Sequence, residues 1–268
     1  MKKLSVIIVT YNSEPDIYNC LAALFAHNDL GDALEVIVVD NNSRQFTQMQ
    51  TKLVSLYNNR VLIIPNTLNG GYGQGNNIGI SNATAPVVMI MNPDVRLVDI
   101  SLRHIVELYD KDSHLALCGF RQVINERGKR GTSFSLLNHY NGFLRIFGGV
   151  LANRLNIFCW RHMYFCGACF CVRKSMIEKA GLFDENIFLY GEENDIHYRI
   201  HQACPHTHDK YIRQAVYLHL TEDRPYSEKA FQLRIKSNEY VMQKQGRPAG
   251  TYIRSEEQRQ KWSKCLKR

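Results

Sequence analysis

The sequence predicts an α/β fold in which a Rossmann-like, mostly parallel central sheet is covered by helices on both faces. Three observations predict it. Short runs of Val, Ile and Leu alternate with amphipathic stretches through the first 120 residues, the pattern of repeated βα units. The apolar runs are nearly continuous, as strands buried on both faces require. Short polar residues stand at the ends of several runs, where sheets of this kind hold their ligands.

The elements follow in order. SVIIVT, EVIVVD, VLIIP, VVMIMN and LALCGF are the strands, and PDIYNCLAALFAH, FTQMQTKLVSLYNN, GQGNNIGISNA and DISLRHIVELYD carry helical spacing between them. After residue 120 the alternation breaks. Residues 121–164 hold a basic loop, INERGKRG, and an aromatic stretch whose helical pieces are interrupted by Gly142, Gly148 and Gly149; its Tyr140, Phe143, Phe147, Phe158 and Trp160 suit stacking on a sugar, contact with a lipid or ordinary core. FCGACFCVRK then reads as a strand, SMIEKAGLF as a helix ending at Gly181, residues 192–202 as another helix and AVYLHL as a last strand. The expected organisation is one domain over 1–222, with halves 1–120 and 121–222, followed by a basic helical extension over 223–268.

Composition bounds the function. A chain of 268 residues with 45% hydrophobic content buries a substantial core. No run approaches the ~18 apolar residues of a membrane span, and Met1-Lys2-Lys3 leads straight into a strand, so the chain is expected to be cytoplasmic. A net charge of +8 favours anionic partners. The excess gathers after Arg224, from Lys229 to Lys261, Lys264, Lys267 and Arg268, which suits either a solvated helix or a peripheral contact with an anionic membrane surface at the inner face of the plasma membrane. The eight cysteines lie mostly in apolar runs, as reduced thiols do. Cys159, His162, Cys166 and Cys169 have zinc-like spacing, but no second CxxC follows, and zinc is disfavoured there.

Candidate site residues come from the strand ends: Thr10, Tyr11 and Asn12; Asp40 and Asn42; Asn92, Pro93 and Asp94. NGGYGQGNNIGI lacks glycines at i, i+2 and i+5, so a nicotinamide oxidoreductase is disfavoured. A glycine-rich loop approaching a ligand, with Asn69, Gly71, Asn76 and Asn77 as its polar surface, stays open. FLYGEENDIHYRI places Glu192, Glu193 and Asp195 after an apolar run. An acidic helix N-terminus explains it as well as a functional cluster does.

SVIIVTYNSE, VIVVDNNS, NGGYGQGNNIGI, MIMNPDV, CGACFCVRK, AGLFDENIFLYGEENDIHYRI and VYLHL, in that order from about residue 4 to about residue 220, resemble inverting family 2 glycosyltransferases, specifically the rhamnosyltransferase-like branch. The resemblance implies a glycosyltransferase A fold, a dTDP- or UDP-sugar donor and a divalent metal, Mg²⁺ or Mn²⁺. It assigns Thr10, Tyr11, Asn12, Asp40, Asn42, Asn69, Gly71 and Asn76 to the nucleotide. Asn92, Gly167, Ala168 and Asp195 fall to donor sugar or acceptor, and Asp94 and His219 to the metal. Asn92 stands where the family's metal motif has its first acid, so Asp94 is its firm carboxylate. Glu193 is the expected base, with Glu192 beside it. The implied activity is transfer of a rhamnose-like sugar to a saccharide acceptor, polyprenyl-diphosphate linked, for O-antigen or capsule. A UDP-hexose or galactofuranose donor is the alternative; a basic nucleic-acid-binding module leaves Asp40, Asp94 and Glu193 unexplained.

Overall fold

The computed structural model describes residues 1–137, 144–221 and 227–265, without side chains for 144–145 and 261–265. Tyr140, Gly142, Phe143, Arg224, Lys267, Arg268 and the expected boundary at 222/223 lie outside the described residues, as do the side chains of Lys261 and Lys264.

Eight strands form the main sheet in the order β3-β2-β1-β4-β9-β6-β10-β5. They are β1 (Leu4–Thr10), β2 (Leu34–Asp40), β3 (Leu62–Pro65), β4 (Val87–Met91), β5 (Val95–Asp99), β6 (Leu115–Val123), β9 (Cys169–Arg173) and β10 (His208–His219). β7 (Phe134–Leu136) and β8 (Met163–Phe165) pair as a separate ribbon. β1, β2, β3 and β4 run parallel, as do β6 and β10. β9 is wedged antiparallel between β4 and β6, and β5 closes the edge antiparallel to β10.

The helices are α1 (Asp16–Ala26), α2 (Phe46–Tyr57), α3 (Gly71–Asn82), α4 (Leu102–Lys111), α5 (Gly149–Leu155), α6 (Lys174–Lys179), α7 (Glu192–Ala203), α8 (Glu228–Lys244) and α9 (Gly250–Cys265). Side-chain alternation on β1 explains the two layers. Leu4, Val6 and Ile8 face one core with residues of α1, α2 and α4, while Ile7 faces the other with Ile80 of α3, Ile177 of α6 and Ile196 and Ile200 of α7. Burying each such side chain stabilises the fold by about 1.5–3 kcal/mol relative to exposure.

Two elements differ from the expectation. β5 follows MNPD directly, too short and too interrupted by the turn to show periodicity. FCGACFCVRK is not one strand but two, broken at residues 166–168. The break puts Gly167 and Ala168 in a backbone junction at the carboxyl end of β4, because antiparallel pairing sets Met91 opposite Cys169.

Candidate functional site

The carboxyl ends of β1 and β2 lie side by side, with Thr10 paired to Asp40. Asp40 is buried and its carboxylate is fully engaged: Thr10 Oγ1 donates at 2.9 Å, Ser43 N at 2.8 Å and Ser43 Oγ at 2.5 Å. Asn12 N donates to Ser43 Oγ, and Asn12 Oδ1 accepts from Arg44 N at 3.0 Å. Asp40 thus organises two loops at once. Tyr11 and Asn42 stay exposed at their tips, and Asn12 and Asn42 both take positive φ, 50° and 66°, which asparagine tolerates.

NGGYGQGNNIGI is helical from Gly71 onward, so the residues after Gly70 form no phosphate-cradling loop. Its glycines serve packing. A Cβ on Gly75 would lie 2.6 Å from Val9 Cγ1 and one on Gly79 only 2.3 Å from Ile7 Cγ2, so α3 rests directly on β1. Asn69 Oδ1 accepts from Gly71 N at 3.1 Å, and Gly71 O accepts from buried Asn41 at 2.9 Å. Asn76 donates to Tyr72 O within the helix, and its buried Oδ1 has no hydrogen-bond partner. Asn77 does not line a ligand loop: it clamps Phe183, accepting from its N at 2.9 Å and donating to its O at 3.0 Å.

Asp94 and His219, far apart in sequence, meet because β5 pairs with β10 in a register that sets Val95 opposite His219. His219 Nε2 lies 3.3 Å from Asp94 Oδ2. Behind it, His219 Nδ1 is 3.3 Å from Gln122 Nε2, and Gln122 Oε1 accepts from Tyr217 OH at 3.2 Å. This orientation of the amide leaves the imidazole proton on Nε2, facing the carboxylate. An ion held by both groups needs the proton on Nδ1 instead. Gln122 can accept it by turning its amide, because the Tyr217 hydroxyl accepts as well as donates. The donor set, one carboxylate and one imidazole at this separation, fits a Mn²⁺ or Mg²⁺ ion whose other positions belong to water and phosphate oxygens. Asn92 contributes its backbone: its N–H donates to Ala168 O at 2.8 Å.

The acid pair heads α7 behind Gly191, whose φ of 100° makes the tight entry. Glu193 Oε1 accepts from Gly167 N at 3.1 Å, and Gly167 O accepts from Tyr72 OH at 2.6 Å. Glu193 is partly exposed, whereas Glu192 is buried with Oε2 lacking a hydrogen-bond partner. Burial, and then the charge of Glu193, raise the Glu192 carboxyl well above the carboxylate range. Burial raises Glu193 too, against hydrogen bonds that include the Gly167 amide. Asp195 is drawn elsewhere: its carboxylate meets Arg199 Nε at 2.7 Å and Lys244 Nζ at 3.1 Å, pinning α7 to α8.

The sites form one chain of contacts: Asn41 to Gly71, Tyr72 to Gly167, Gly167 to Glu193, Ala168 to Asn92, and Asp94 two residues on to His219. Gln122 joins it without a sequence signal of its own, whereas Asn41 stands among the polar residues at the end of β2 and Tyr72 lies within NGGYGQGNNIGI. Among the aromatics of 121–164, Phe158 stacks on Phe165 at 4.3 Å as core, Trp160 lies 4.9 Å from the ring of His201, and Phe147 is exposed. Cys169 is buried in β9, and among the described residues the cysteines form no metal cluster.

A mostly parallel sheet with an inserted antiparallel strand, and an aspartate–histidine pair and a glutamate pair joined through one backbone junction at its strand ends, define a glycosyltransferase A fold. The chain belongs to glycosyl transferase family 2, whose model matches residues 5–181. It is 26% identical over 208 residues to the low-salt glycan biosynthesis hexosyltransferase Agl10 of Haloferax volcanii, covering 73% of this chain and 61% of that relative. In fold it is similar to a mannosyltransferase of Pyrobaculum calidifontis in complex with GDP-Man and Mn²⁺, with a TM-score of 0.65 at 15% identity, over 90% of this chain and 63% of that one. It is similar also to TarS of S. aureus in complex with UDP, with a TM-score of 0.60 at 18% identity, over 90% and 65%. No helix among the described residues is long and apolar enough to cross a membrane.

Proposed function

We propose that the chain is an inverting glycosyltransferase that moves a sugar from a nucleoside-diphosphate donor to a saccharide hydroxyl, with Glu193 as the base. One observation carries the reading. The 166–168 junction holds Glu193 through the Gly167 amide and Asn92 through the Ala168 carbonyl, so the candidate base and the Asp94–His219 pair flank one piece of backbone. The acceptor oxygen attacks the anomeric carbon, Glu193 takes its proton, and the bond to the diphosphate breaks on the opposite face with its electrons leaving on the nucleotide. Glu193 suits this role because it is partly exposed and its raised carboxyl is a better proton acceptor than an ordinary one. A divalent cation on Asp94 and His219 would supply positive charge for the departing diphosphate.

Thr10, Tyr11, Asn12 and the loops that Asp40 orders hold the nucleotide in this reading, supported by the UDP and GDP-Man complexes of the structural relatives. The donor sugar is rhamnose-like by the sequence motifs. A hexose donor is the second reading, favoured by the hexosyltransferase relative. For the acceptor, a cavity of about 540 Å³ beside Gln122, lined also by Arg130, Ser135, Asn153, Arg154 and Arg259, suits an anionic group such as a lipid-linked diphosphate. Cell-surface polysaccharide assembly is the matching role.

The test is a panel of nucleotide sugars scored for transfer with and without chelator. Glu193→Gln is expected to lower turnover by about 10²–10⁴ while UDP or dTDP binding, followed by titration calorimetry, stays unchanged. Wild-type turnover by that variant would remove Glu193 from the reaction.

A further inference from the structure

A second cluster, apart from the donor-side pair, gathers on the other half of α7. His197 and His201 stand four apart on one face of that helix, and Asp209 reaches them from the start of β10. His197 Nε2 and His201 Nε2 lie 2.9 Å and 3.1 Å from the same oxygen, Asp209 Oδ2, and one donor atom from each residue falls within 4.8 Å of the others. His197 and Asp209 are buried, at 4% and 6% exposure.

Hydrogen bonding leaves one buried oxygen of this cluster, Asp209 Oδ1, without a partner. Thr207 Oγ1 gives its proton to Cys204 O at 2.6 Å, so at 3.3 Å it accepts from His201 Nδ1. With that proton on Nδ1, a neutral His201 turns the lone pair of Nε2 toward the Asp209 carboxylate, and a cation between the two, a metal ion or a proton, relieves the contact. His197 Nε2 lies 2.9 Å from the same oxygen, and Asp209 Oδ1 is buried without a hydrogen-bond partner. Two imidazoliums with ring centroids 4.7 Å apart would instead repel in a dry site.

We propose that His197, His201 and Asp209 bind a structural divalent transition-metal ion of the zinc type. Two imidazoles and a carboxylate are a zinc donor set, and ligands at about 2.0–2.1 Å in a tetrahedron sit roughly 3.3 Å apart, close to the 2.9 Å and 3.1 Å between the histidines and Asp209 Oδ2. Water can take the fourth position, and the Trp160 ring lies 4.9 Å from that of His201. The Thr207 bond to Nδ1 is the support that orients a metal-binding histidine. The ion clips α7, which begins with Glu192 and Glu193, to β10, which ends at His219. It thereby ties the elements that carry the glutamate pair and His219.

The test uses the full chain carrying Asp94→Asn, so that the donor-side pair is weakened as a metal site, purified without a polyhistidine tag. Elemental analysis after Zn²⁺ loading and dialysis is expected to find one Zn²⁺ per chain, and Co²⁺ in its place should give visible d–d absorption. Chelator should lower the Tm and added ZnCl₂ should restore it. Introducing His201→Gln should abolish metal uptake and the chelator response together, with far-ultraviolet circular dichroism unchanged. Metal uptake by the parent is read first, so the result does not hinge on how a variant folds. A parent that retains no Zn²⁺, or a His201→Gln chain that retains as much as its parent, overturns the site.

Discussion

At the scale of single residues, the two glutamates at the head of α7 have different environments although they are neighbours. Glu192 is buried and its carboxyl is raised chiefly by burial, so ionising it in the folded chain costs stability. The sign follows from proton linkage. Below the unfolded value of about 4.3 the group is protonated in both states and costs nothing. As the pH climbs toward the folded value, the unfolded chain ionises first and stability falls. Glu192→Gln cannot ionise, so its Tm is expected to exceed the wild-type Tm at neutral pH and the two should converge near pH 4 or below in a thermal-melt series. A wild-type chain that gains stability over that pH interval relative to the variant would contradict the burial. The acid pair itself is legible in the sequence. Their division is not, because it depends on Gly167, which reaches Glu193 across a break within the run read as one strand.

At the scale of elements, the glycine stripe on α3 has a packing role that sequence alone does not announce. Gly75 and Gly79 let a helix lie directly on a strand. Gly79→Ala would gain helix propensity of up to about 1 kcal/mol but forces a Cβ within 2.3 Å of Ile7 Cγ2. Overpacking of this kind typically costs about 1–3 kcal/mol, so a net loss is expected in urea denaturation. Gly149→Ala, where a Cβ at the start of α5 meets nothing within 4 Å, is the control and should leave stability unchanged or slightly raised. The basic C-terminal extension behaves likewise. Its charge excess reads as a solvated appendage, but α8 docks on the segment before the acid pair. Ser237 donates to Leu189 O at 2.8 Å, and Lys244 reaches Asp184 at 2.5 Å and Asp195 at 3.1 Å. Against its burial, Lys244 and the Asn186 groups hold the Asp184 carboxyl well below its ordinary range. A depressed carboxyl contributes stability above its unfolded value and loses it as pH falls through the folded one. Lys244→Ala should therefore lower the Tm at neutral pH and leave it nearly unchanged in strong acid.

At the scale of the whole molecule, the proposal turns on ligands that bind the folded state. UDP or dTDP with Mn²⁺ should raise the Tm, and a ligand at a hundred times its Kd adds about 2.7 kcal/mol. NAD should add nothing, and Asp94→Asn should weaken the Mn²⁺-dependent part of the shift. The net charge of +8 acts at this scale as well. If the basic surface meets an anionic membrane, association with anionic vesicles should fall steeply as salt is raised, which a sedimentation assay reads directly.

Much of this architecture follows from sequence alone. Each buried parallel strand needs a continuous apolar run, and each strand end needs short polar residues, so β1 to β4, β6 and the positions of Asp40, Asp94 and the glutamates are written locally. Tertiary structure decided the rest. Only antiparallel pairing of β5 with β10 brings His219 to Asp94, and only parallel pairing of β6 with β10 puts Gln122 beside both Tyr217 and His219. His197, His201 and Asp209 converge the same way, from one helix and one strand. Strand register is a long-range property set by which faces are buried, and it leaves no mark within the few residues whose side chains it joins.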